Sequence, residues 1–156
     1  MARAGRVTAW LSLSALVLTT GALLARANAP SRGSIQGVWR VSEATRPGVP
    51  PVTDTKPQPG QWIFTARHHS VVSVLAGAPR PNLPQDQTKA TAAELLAVYG
   101  PFAAQSGTYE ASGGILTLHP FVAKGPAVMA PGSVHTWAYT LDGQSLTLTQ
   151  RTDHNG

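Results

Sequence analysis

From Ile35 onward the apolar residues return mostly at every second position, and only once at the spacing of a helix. Such alternation sets one face of an extended segment against a core and the other in water. Seven stretches read as strands: Ile35–Glu43, Gln61–Ala66, Ser70–Ala76, Gly107–Ala111, Ile115–Phe121, Ser133–Leu141 and Gln144–Thr152. Between them lie segments a β ladder rejects. Ala44–Gly60 holds Pro47, Pro50, Pro51, Pro57 and Pro59 and is expected to be loop throughout, as is Gly77–Gln87. Arg67-His68-His69, Ser112-Gly113-Gly114 and Asp142-Gly143 are expected at hairpin turns.

One helix is predicted. Thr91 and Glu94 form a capping box, Leu95, Val98, Tyr99 and Phe102 share one side, and Gly100-Pro101 ends or disturbs the last turn. Parallel βαβ units need helices between strands, and these are missing. The expected class is mainly β: an antiparallel up-and-down sheet with one helix.

Residues 1–27 read differently. Arg3 and Arg6 precede an apolar run from Val7 to Leu24, and small residues follow in Ala25-Arg26-Ala27 and Ala27-Asn28-Ala29. That order is expected of an export signal, cut after Ala27 in preference to Ala29, because Pro30 follows the second option. The run is about long enough for an uncleaved anchor, but its hydroxyl residues and alanine-rich exit favour cleavage, so no stable membrane insertion is expected afterwards. A cysteine-linked lipid anchor is excluded, since the chain has no cysteine. Residues 28–156 then form a single domain, large enough to fold without disulfides. The destination expected is periplasmic or secreted.

The formal net charge of +5 shrinks once Arg3, Arg6 and Arg26 leave with the signal, to 9 basic residues against 7 acids. With no Lys/Arg cluster, a nucleic-acid partner is not expected.

Gly37-Val38-Trp39-Arg40, Trp62-Ile63-Phe64, the acid-capped helix, Gly107-Thr108-Tyr109-Glu110, Leu141-Asp142-Gly143 and Leu146-Thr147-Leu148 occur in one order. In that order the chain resembles the bacterial lipocalin-like domains over about Ser34 to Gln150. The resemblance implies an up-and-down β-barrel whose interior holds one small ligand. It also implies that Trp39 closes the barrel floor, with Arg151 from the last strand as its companion. The chain stops at Asp153-His154-Asn155-Gly156, where such domains continue through a further strand. The barrel is therefore expected to be open by one strand, or the sequence to be a fragment. An open edge invites a homodimer.

The residues expected to bind a ligand are Trp62, Phe64, Tyr109, His119, Trp137 and Tyr139. His135, Trp137, Tyr139 and Leu141 share a face that lines either the cavity or the packing surface under the helix. His119 lies in an apolar strand and is the candidate acid or base of a pocket. His68 and His69, being adjacent, point to opposite faces and are expected in a solvated turn, so no metal site is assigned. No Gly-x-Ser-x-Gly elbow or phosphate loop is present, and neither catalytic residues nor a cofactor are assigned. The leading expectation is an exported module that binds a small, largely apolar molecule. The alternatives are a small-barrel isomerase, cyclase or lyase using a pocket histidine or tyrosine, and a module that binds a partner along an open sheet edge.

Overall fold

The computed structural model describes residues 8–11, 14–20 and 34–151, the first two stretches by their backbone alone. The expected cleavage positions at Ala27 and Ala29, and the tail with His154, lie outside the described residues. Strands β1 (Thr8–Leu11) and β2 (Ser14–Thr20) precede β3 (Gly37–Arg46), β4 (Val52–Asp54), β5 (Gly60–Phe64) and β6 (His68–Val74). Helix α1 (Ala92–Tyr99) leads into β7 (Phe102–Ser112), β8 (Ile115–Ala123), β9 (His135–Asp142) and β10 (Ser145–Gln150). From β3 to β10 every pairing is antiparallel, in the order β4-β3-β5-β6-β7-β8-β9-β10. The backbone of β1 runs beside both β3 and β10, and β2 pairs with β3 and β1.

The eight-stranded sheet is curled into a half-barrel. Strands β5 and β9 stand four places apart, about 19 Å in a flat sheet at 4.8 Å per strand. Yet the rings of Trp62 on β5 and Trp137 on β9 meet edge to face with centroids 5.4 Å apart. The curl brings the inward residues together. Leu116, Leu118, Leu146 and Leu148 are completely buried, with Ile35, Trp39, Trp62, Phe64, Val71 and Trp137 around them. Full burial of each leucine contributes about 1.5–3 kcal/mol relative to exposure.

Two glycine features fix the β7–β8 hairpin. Gly113 and Gly114 form its two-residue loop, and both take positive φ, as a tight hairpin with matching twist demands. At the bulge between Ser106 and Gly107, a Cβ on Gly107 would stand 2.0 Å from the His119 carbonyl oxygen, so only glycine lets the strands approach.

Three expectations need correction. The proline-rich segment after β3 is not loop throughout: Val52-Thr53-Asp54, free of proline, pairs with Ala44–Arg46 as an edge strand. His68 and His69 open β6 instead of sitting in a turn, and His69 is buried. The helix begins at the complete Thr91–Glu94 capping box and ends at Gly100 as read, but Phe102, expected on its apolar side, opens β7 beyond Gly100-Pro101. However, none of its residues is buried, so the face carrying Trp137 does not lie under it. Among the described residues no helix is long and apolar enough to cross a membrane.

Candidate functional site

The inward face of β6 carries His69, Val71 and Ser73, all buried, while Val72 between them is exposed. Register sets His69 beside Phe64, and Val71 beside Trp62, on β5. On β9 the same alternation turns His135, Trp137 and Tyr139 inward, with His135 paired to the buried Leu118 and Trp137 to the buried Leu116. Phe64 stacks on Trp62 at 6.1 Å and meets Tyr109 edge-on at 5.1 Å. Trp62, Phe64, Tyr109, Trp137 and Tyr139 are thus brought together as one aromatic interior.

Four nitrogen atoms of this interior are buried and have no hydrogen-bond partner: Trp62 Nε1, Trp137 Nε1, His69 Nε2 and His135 Nε2. Each buried polar atom left unsatisfied costs about 1–3 kcal/mol. The tautomer of His69 follows from its other nitrogen. Nδ1 lies 3.1 Å from the Thr108 carbonyl oxygen, which can only accept, so the neutral ring carries its proton on Nδ1 and a lone pair on Nε2. Burial holds His69 neutral by pushing its pKa below the ordinary imidazole value, against the opposing pull of the Thr108 carbonyl; His135, His119 and His68 add to the lowering. Burial lowers His135 likewise. The interior therefore offers two fixed N–H donors and a neutral imidazole acceptor, in a setting where no Lys, Arg, Asp or Glu is buried among the described residues.

Tyr109 differs from its neighbours because its hydroxyl is already engaged, donating to the Thr65 carbonyl at 2.7 Å. Its pKa is raised, first by burial and then by Tyr139 nearby, so it stays protonated. His119 is not part of the interior. Leu116 and Leu118 turn inward, and His119 alternates to the other face, where Nε2 lies 4.0 Å from Oε1 of the exposed Glu110. Trp39 is buried and donates from Nε1 to the Ile35 carbonyl at 2.7 Å, which ties the residue leading into β3 to the strand itself. Arg151 is exposed, its backbone N–H on the Thr136 carbonyl.

At the Ser73 end of the interior face lies a cleft of about 380 Å³, bounded by Val41, Ala44, Ser73 and Leu75 under Arg46, Pro47 and Pro57. Gly60 packs closely against two of these residues, since a Cβ there would fall 2.5 Å from Val41 Cγ2 and 2.8 Å from Ser73 Oγ. Ser73 Oγ is also buried and without a partner. A larger groove of about 790 Å³ lies outside the barrel between the Pro81–Gln87 loop and the end of α1. There Arg80 is already occupied, donating to the Val98 carbonyl at 3.1 Å and covering the Phe102 ring at 5.5 Å.

His69 is the member that reasoning from sequence did not place inside, whereas His135 was placed on one face with Trp137 and Tyr139 but not among the binding residues. A signal existed for His69: the alternation of Val71 and Ser73 extends back to it once the turn is placed at Thr65–Arg67. No family model matches the chain, and no curated protein or solved structure matches it either.

Proposed function

We propose that the protein is a lipocalin-like, exported binding module that holds one small, largely apolar molecule in the interior of its half-barrel. One observation carries this reading: an otherwise apolar, aromatic interior holds four buried nitrogen atoms without hydrogen-bond partners. Native proteins rarely leave such atoms unpaired, and a bound molecule that pairs them recovers the cost. Apolar contact with Trp62, Phe64 and Trp137 supplies affinity at about 25 cal/mol per Å² buried. The polar atoms fix orientation. Catalysis is the weaker reading, because His119 faces away and the Tyr109 proton is committed to Thr65.

Native mass spectrometry of the protein, purified without detergent, tests the reading. The expected result is an added mass that is lost on denaturation. Trp137→Ala then lowers occupancy strongly and His68→Ala, on the exposed face, does not. Equal loss from both variants, or dimers without any added mass, would overturn the interior site, the latter in favour of pairing along a sheet edge.

A further inference from the structure

We propose that the cleft at the Ser73 end of the sheet is a second binding site, which takes a small carboxylate on an apolar body. Arg46 is the cation that meets the carboxylate. The site is separate from the aromatic interior, since none of Trp62, Phe64, Tyr109, Trp137 and Tyr139 lines it. Its volume of about 380 Å³ suits a small molecule, because ligand pockets run from about 300 to 1,000 Å³. Val41, Ala44, Pro47, Pro57 and Leu75 give it apolar walls. Leu75 is 54% exposed, so an occupant gains apolar contact by covering it. Ser73 also lines the cleft and is only 4% exposed, and its hydroxyl has no partner. Buried hydroxyls are rarely left unpaired, and this one borders a space that an occupant can fill.

Arg46 supplies the charge. It ends β3, and its guanidinium reaches the chain beyond β6, where a Cβ on Gly77 would stand 3.2 Å from Nη1 and 3.6 Å from Nη2. Arg46 and Ala76, the neighbour of Gly77, both line the cleft, so the cation crosses from one of its sides to the other. Among the described residues Arg46 joins no ion pair, and no Asp or Glu lines the cleft. A guanidinium presents parallel N–H donors that match the two oxygens of a carboxylate. An alcohol meets it with one neutral oxygen, and an ammonium is repelled.

The test holds the apolar body constant. Octanoate, 1-octanol and octylammonium are titrated into the full protein at pH 7, and binding is followed through backbone amide and indole N–H signals by NMR. Octanoate is expected to bind at least about ten-fold more tightly than the other two. Its shifts should fall at Val41, Ala44–Arg46 and Ser73–Gly77. Arg46→Met, which keeps the aliphatic stem on an exposed residue, should bring octanoate down to the affinity of octanol and leave octanol unchanged. Arg46→Lys should fall between the two, since it keeps the charge and loses the fork. Trp137→Ala should leave octanoate binding as it was. Equal binding of octanoate and octanol, or an affinity indifferent to Arg46→Met, would overturn the proposal. Octanoate shifts confined to the indoles of Trp62 and Trp137 would overturn it too, in favour of the interior. Failure of octanoate to bind would remove the cleft site alone, because the mass carried by the purified protein tests the interior independently.

Discussion

His69 is a residue whose two nitrogens have different fates, and the difference has a thermodynamic consequence. Its folded-state pKa lies below the ordinary value of 6.5 because burial disfavours the cation. Above pH 6.5 both folded and unfolded chains hold the ring neutral, and no stability is lost. As pH falls through 6.5 the unfolded chain takes the proton first, so stability declines until the pH passes the folded-state pKa. His135 adds to the same decline, its pKa also lowered by burial. Thermal melts from pH 8 to pH 5 should show a falling Tm, and His69→Phe should make that curve shallower. A Tm independent of pH would contradict the neutral, buried imidazole. The aromatic members of the site were legible in the sequence because Trp62, Phe64 and Trp137 obey the period of two. His119 was misleading for a physical reason. Periodicity states which residues share a face but not which face is inward, and the fully buried Leu116 and Leu118 decide that for β8.

Helix α1 illustrates how an element can be read correctly in outline while its packing is not. Its capping box is fully formed: the Thr91 hydroxyl receives the Glu94 N–H at 3.2 Å, and the Glu94 carboxylate receives the Thr91 N–H at 2.8 Å. Its far end is held by Lys124, whose ammonium donates to the carbonyls of Tyr99, Gly100 and Phe102. A cation there also complements the helix dipole. Since the helix buries no residue, these end contacts carry more of its stability than packing does. Thr91→Ala should therefore cost the helix about 1 kcal/mol, read as faster amide exchange within Ala92–Tyr99. Lys124→Met should act in the same direction from the other end. Neither is expected to move exchange in β8 or β10; a matching loss there would mean that the helix is coupled to the sheet. The signals for α1 were local, Thr91, Glu94 and Gly100, and so they were visible in sequence. Its exposed Leu95 and Leu96 were not foreseeable, because only the tertiary arrangement says what a helix leans on. Strand β4 was hidden for the opposite reason, its three residues masked by the prolines on either side.

At the scale of the whole molecule the sheet owes its cohesion to leucines on adjoining hairpins. Leu148→Ala should destabilise the protein by about 2–5 kcal/mol, whereas Val72→Ala, on the exposed side of β6, should fall within about 0.5 kcal/mol. Urea unfolding at constant m-value distinguishes the two, and similar costs would contradict the inside–outside assignment of the sheet. The antiparallel order was readable from the turns, since Gly113-Gly114 and Asp142-Gly143 each force neighbouring strands together. The curl was not, because it depends on contacts between β5 and β9 that lie more than seventy residues apart in the chain. That same contact gives the molecule an optical signature. Two indoles held edge to face at 5.4 Å couple their excited states, so the folded protein should carry an exciton couplet in its circular dichroism above the ordinary β signal. If the interior holds a guest as proposed, contact with either ring would change the coupling, so that occupancy would be read without a dye or a label.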